Sequence, residues 1–253
     1  MTESMIILLA GIFLPLFPMS MVFNAVLEKI EQAWLRVLLF TAWPLCGVAI
    51  VSYSGVMLPD WVMPLALVTS CLYALRMLSL REVNQWTGFL ATSLWSLLWL
   101  AVISDKPDML LYGYAISMTV PLILLIMLSA GLEQRFGAAY TGLYGGLART
   151  IPRFSGVLVT VIVASIATPF FPTFFIMFDM VVNTISVTPV AAMTLLLIWL
   201  LWSWAGARLI QGLIVGRASN IKIADIDMLT ISFYSGVLLA LAIAGVYMSR
   251  VIL

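Results

Sequence analysis

Apolar residues run through this chain in blocks of about twenty, the length that crosses a bilayer core of roughly 30 Å as a helix, and short polar clusters separate the blocks. The blocks predict helices over Met5–Leu27, Ala33–Tyr53, Trp61–Leu78, Trp86–Ile103, Met109–Ala130, Phe154–Val187, Thr188–Val215 and Met228–Ser249. Pro15 and Pro18 interrupt the first block and Pro44 the second, which a membrane helix tolerates when neighbours satisfy the freed backbone groups. The block from Phe154 is interrupted by Pro169 and Pro172. As one helix it would measure about 50 Å, too long for a single crossing, so two helices joined at the prolines are expected. The fold class is therefore all-α, a polytopic integral membrane protein with eight or nine transmembrane helices in one membrane domain over residues 1–253.

Composition fits this picture. Of 253 residues, 64% are hydrophobic and 9% charged, against roughly half and a quarter in soluble domains. Net charge is +1, so no basic face points to nucleic acid; the expected surroundings are the lipid bilayer. The segment Lys106–Asp108 reads as a mixed-charge turn, and Gly131–Arg153, with Glu133 and Arg135, as a polar connection. With eight spans, all twelve Lys and Arg residues except Lys106 and Arg250 fall on one side, as the positive-inside rule favours, and both ends lie outside. Nine spans weaken that bias, so the orientation stays open. The opening block is too long for a signal-peptide core and lacks a basic flank, so it is expected to be retained.

Candidate chemistry is sparse. Histidine is absent, and Cys46 and Cys71 lie in apolar runs, so neither metal nor cofactor is expected. No catalytic constellation is present. Trp86, Trp95 and Trp99 are expected at the membrane interfaces, and Trp199, Trp202 and Trp204 on a lipid- or subunit-facing surface.

Several motifs in order resemble the antiporter-like subunits of respiratory complex I and of Mrp-type sodium/proton antiporters. Leu72-Tyr73-Ala74-Leu75 with Leu80-Arg81-Glu82-Val83 and Trp86-Thr87 resembles one helix pair, and Gly131-Leu132-Glu133-Gln134-Arg135 the exit from the next helix. Gly145-Gly146-Leu147-Ala148 with Pro152 is the most specific piece, followed by Ser165–Pro169, Ala207–Gln211 with Gly216, and Gly245-Val246-Tyr247. The resemblance covers residues 72–251, about the C-terminal half of a full-length member, and leaves residues 1–64 unmatched.

In that family, protons or cations cross along buried lysines, glutamates and histidines. An ionisable group in the membrane is costly and is kept where it relays charge or pairs. On this chain the family's Asp-x-Lys-Arg falls on Ser79, Arg81 and Glu82, its His and Lys on Thr119 and Ile123, and its Gly-Glu-Phe on Ile176-Met177-Phe178. Arg81 can hold an anion but cannot release its proton. Asp179 is either a functional intramembrane carboxylate or a helix-end group bonded to Asn183. Arg208 either pairs with Asp179 or Asp225 or snorkels from a helix end. Pro169 and Pro172 are either turn residues or an ion-coordinating break.

The resemblance implies an accessory subunit in a bacterial inner membrane that scaffolds a larger, proton-conducting homologue. The assembly would be complex I-like, Mrp-like, or an inorganic-carbon uptake system with a soluble catalytic subunit. Gly113, Ala115, Gly206 and Gly212 are expected to form its docking face. The competing class is an independent small transporter or channel using Asp179.

Overall fold

The computed structural model describes residues 3–55, 58–142, 146–216 and 224–252. These are helical apart from turns and one isolated bridge, Glu82 to Tyr140. In chain order the helices are α1 (Glu3–Phe13), α2 (Met21–Lys29), α3 (Ala33–Ser54), α4 (Val62–Met77), α5 (Val83–Ser96), α6 (Leu98–Ile103), α7 (Asp108–Phe136), α8 (Leu147–Thr150), α9 (Pro152–Ser165), α10 (Pro172–Ile185), α11 (Pro189–Ile214) and α12 (Met228–Ile252). Five stretches are long and apolar enough to cross a membrane: α3, the continuous α5–α6 run over Val83–Ile103, α7, α11, and α12 over Met228–Arg250. The protein is a multi-pass membrane protein.

Burial ranks these stretches. The α5–α6 stretch is 83% buried and forms the central post, whereas α3 is 28% and α12 17% buried and both lie at the periphery. Around the post pack α2, α4 and α7. This ranking overturns the expectation for the fourth span's tryptophans. Trp86, Trp95 and Trp99 are all buried, because that stretch is packed among α2, α4 and α7 along most of its length.

Two breaks shape the bundle. The first block divides into α1 and α2 around Pro15 and Pro18, and the exposed backbone groups are taken up by side chains of other helices. The Trp43 indole donates to the Ile12 carbonyl at 3.0 Å and the Trp99 indole to the Leu14 carbonyl at 2.9 Å. The Phe17 amide donates to the Thr69 hydroxyl at 3.0 Å. The second break, residues 166–171, separates α9 from α10 as the prolines require. Ala167 and Phe170 take left-handed φ values of 57° and 82° there. The Trp199 indole donates to the Ala167 carbonyl at 2.9 Å.

Loop and motif assignments also shift. Helix α7 runs six residues past the expected Ala130, carrying Glu133 and Arg135 out of the predicted connection, and ends at Gly137, whose φ of 78° is the left-handed conformation glycine supplies at a helix end. Gly146 takes φ 80° at the start of α8, and Gly145 lies outside the described residues. The small residues expected to dock a partner pack internally instead. Ala115 is buried, Gly206 faces Ile166 and Gly212 faces Thr141. Their lack of bulk lets this chain's own elements approach closely.

Gly245 on α12 lies against the second break, where an added Cβ would stand 2.3 Å from the Phe170 carbonyl oxygen. Gly236 on the same helix faces open space. Gly245→Ala is expected to cost about 1–3 kcal/mol by overpacking, read as a lowered Tm in detergent, whereas Gly236→Ala leaves Tm unchanged or raised.

Candidate functional site: two charged centres at opposite ends of the bundle

The first centre is built on Asp179, in the middle of α10 and only 6% exposed. The turn between α6 and α7 supplies its cation. Asp105 takes a left-handed φ of 52° there, a conformation that aspartate tolerates, and Pro107 starts α7 immediately afterwards. Between them Lys106 reaches inward, its Nζ 2.9 Å from each carboxylate oxygen of Asp179. The Tyr114 hydroxyl, on the second turn of α7, donates to Oδ2 at 2.9 Å. The Asn183 amide, one turn along α10, donates to Oδ1 at 2.8 Å. Each oxygen thus receives two donors, which satisfies an ionised carboxylate fully.

These contacts correct two expectations. Arg208 is not the partner of either carboxylate. Asp179 is held by Lys106, while Asp225 caps α9 by accepting the amides of Arg153 and Phe154 at 2.8 and 3.0 Å. Lys106, read from sequence as one charge of a surface turn, is the cation that lets Asp179 be buried.

The second centre lies at the other end of α7. One guanidinium nitrogen of Arg36 stands 3.2 Å from both oxygens of Glu133, and its Nε donates to the Ile30 carbonyl at 2.8 Å. The Asn84 amide donates to Glu133 Oε1. Glu82, in the turn before α5, faces the same group. Burial first, and then the Glu133 charge, push its carboxyl above the usual range, and Arg36 pulls the other way. A cavity of about 380 Å³ opens here between α2, α4 and the start of α5.

Between the two centres the buried polar groups are neutral, and several are bonded to one another. Thr119 donates to the Ala115 carbonyl at 2.6 Å and accepts from the Trp95 indole at 3.0 Å. Ser70 and Ser93 hydrogen-bond reciprocally at 2.8 Å, and Trp202 donates to the Ser93 hydroxyl at 2.8 Å. Trp202 is therefore an internal residue and not a lipid-facing one; of its group, Trp204 is exposed. Met177 is fully buried, and Ile123 packs against the core. At the proline break no charged side chain of the described residues is hydrogen-bonded to the backbone.

Arg81 and Arg208, far apart in sequence, come together on the walls of one cleft of about 1040 Å³ at the Glu133 end.

No family model matches the chain. A protein of Aquifex aeolicus (strain VF5), described as uncharacterized, is 24% identical over 243 residues, covering 93% of this chain and 99% of its own length. Among solved structures, a chain of respiratory complex I from Thermus thermophilus with bound NADH superposes with a TM-score of 0.77 at 19% identity, over 94% of this chain and 53% of that one. A chain of the membrane-bound sulfane sulfur reductase, an archaeal respiratory membrane complex, gives 0.79 at 13% identity, over 96% and 52%. A chain of the Mrp complex from Dietzia sp. DQ12-45-1b gives 0.72 at 14%, over 88% and 44%. The chain has the antiporter-like subunit fold. It spans about half the length of the complex subunits it matches, and the antiporter-like likeness is one of fold.

Removing one member of a buried ion pair strands the other. Lys106→Met is expected to destabilise by about 2–4 kcal/mol, somewhat below a fully buried pair because the lysine is partly exposed. Asp179→Asn in the Lys106→Met background recovers most of that loss. Thermal unfolding of the two single variants and the double variant measures the coupling.

Proposed function

We propose that this chain is an accessory antiporter-like membrane subunit of an ion-gradient-coupled, multi-subunit complex, and that it does not conduct ions by itself. The assembly would be complex I-like, Mrp-like, or a proton-driven inorganic-carbon uptake system. The fold likeness to chains of respiratory and Mrp complexes supports membership in such an assembly.

One observation carries the non-conducting part. Tyr114 and Glu133 mark the two charged centres on α7, and 19 residues of helix separate them by about 29 Å, nearly the hydrocarbon thickness. Along that length the sequence supplies no Asp, Glu, Lys, Arg or His. Residues 109–132, 84–104, 154–178, 189–207 and 228–249 contain none. A relay uses titratable groups, and between the centres the Trp95–Thr119 and Ser70–Ser93 contacts join neutral groups instead.

The same contacts favour eight crossings. Helix α9 starts where Asp225 holds it, at the Arg36–Glu133 end, and α10 carries Asp179 at the Lys106 end. The two helices with their break therefore make one traverse. Lys29, Arg36, Arg76, Arg81, Arg135, Arg149, Arg153 and Arg208 then share one end, which the positive-inside rule assigns to the cytoplasm. Both termini lie on the other side.

The buried Asp179–Lys106 pair favours a second reading, an independent small transporter using Asp179, because intramembrane carboxylates are functional by default. Its saturation by three side chains argues for a structural lock.

Partner contacts fall on the least buried helices. Leu38 on α3 and Leu239 and Ile243 on α12 are exposed apolar positions. Photo-crosslinkers at these positions in native membranes are expected to capture a larger membrane subunit rich in buried lysine and glutamate, whereas one at the internal Leu94 captures none. A chain that yields no crosslink and purifies alone as a stable monomer contradicts the accessory role.

A further inference from the structure

The cleft between the α4–α5 turn and the end of α11 has an unusual balance of polar groups. Its walls carry Arg81, Arg208, Gln211 and Trp86, and among the described residues no carboxylate. Among the described residues neither guanidinium has a side-chain hydrogen bond or an ion pair. Both side chains belong to exposed residues, so each is free to turn toward a ligand. Trp86 forms part of the cleft wall. It is 1% exposed, and its indole N–H has no hydrogen-bond partner. The contrast with the other buried tryptophans is direct, since Trp95, Trp99 and Trp202 all donate to a partner.

The two guanidinium groups line one opening of about 1040 Å³ at the end of the bundle that gathers the arginines, and Trp86 forms part of its wall. The ligand chemistry that matches is a tetrahedral oxyanion. Guanidinium groups bind phosphate bidentately. The backbone keeps the cleft in shape: Thr141 donates to the Arg81 carbonyl at 2.8 Å and Gly142 to the Gly212 carbonyl at 3.1 Å. The α4–α5 turn and α11 are thereby tied to the same short segment.

We infer that this cleft binds a phosphate group through Arg81 and Arg208, either on the headgroup of an anionic phospholipid or as a free phosphate. A headgroup bound there would pin the α4–α5 turn to α11 at the membrane surface. The inference does not depend on the accessory role, because it concerns a ligand of this chain alone.

The test uses the full chain purified in detergent and depleted of lipid, with thermal unfolding followed as ligand is titrated. Three probes are compared: dioctanoyl phosphatidylglycerol, dioctanoylglycerol, which lacks the phosphate, and inorganic phosphate. Saturable stabilisation by phosphatidylglycerol but not by dioctanoylglycerol is expected. The apparent affinity should fall about tenfold or more in Arg81→Gln and Arg208→Gln, from the loss of a charge-assisted hydrogen bond, and weaken as salt rises. Both arginines are exposed, so these variants are expected to fold. Stabilisation by inorganic phosphate with the same arginine dependence supports the site and identifies a free anion as its source. Equal stabilisation by dioctanoylglycerol, affinity unchanged in both arginine variants, or no saturable response to either phosphate probe overturns the inference.

Discussion

A helix that breaks inside a hydrocarbon layer must hand its freed carbonyls and amides to something other than water. In this chain the receivers are mostly indoles. Trp43 and Trp99 take the carbonyls released where α1 gives way to α2, Trp199 takes the one released between α9 and α10, and Thr69 takes the Phe17 amide. Each patch comes from another element of the bundle, so the breaks and the packing depend on one another. The central post follows from this: the α5–α6 stretch carries Trp95 and Trp99 inward and is buried along most of its length. Gly47 and Gly245 serve the same end by letting α3 and α12 pass directly over the two breaks, at Leu14 and Phe170.

Charge is distributed under the same constraint. Ionisable groups survive at the two ends, where a partner or an opening is within reach, and the length between them is kept neutral. Asp179 is the deepest carboxylate and also the most completely satisfied, with Lys106, Tyr114 and Asn183 on its two oxygens. Glu133 and Glu82 share a single arginine beside a cavity and are less completely neutralised. The scaffold thus retains the broken helix, and Thr119, Ile123 and Met177 are uncharged residues packed into its interior.

The sequence made the helices legible because bilayer thickness and hydrophobic run length are tied by simple geometry. It also exposed the α9–α10 break, since two prolines three residues apart cannot continue a helix. Faces were not legible. Trp86, Trp95 and Trp99 recur along an apolar run, and an apolar run has no polar side to orient it, so interface and core could not be told apart. The end of α7 was misjudged because Glu133 looked like loop polarity; Gly137 was the usable signal, a glycine placed where a helix needs a left-handed residue. The Lys106–Asp179 pair joins residues 73 positions apart. It was recoverable only through topology, for eight crossings put Lys106 and Arg250 at the Asp179 end and Arg208 at the other.

The neutral middle of the bundle is the feature on which the functional account turns, and ion flux through the chain alone tests it most directly. Purified protein reconstituted into liposomes containing a pH-sensitive dye, with pH and potassium-diffusion gradients imposed, should leak no faster than protein-free liposomes. A sustained proton or sodium flux through the wild-type chain that Asp179→Asn abolishes would contradict the account and make this an autonomous transporter.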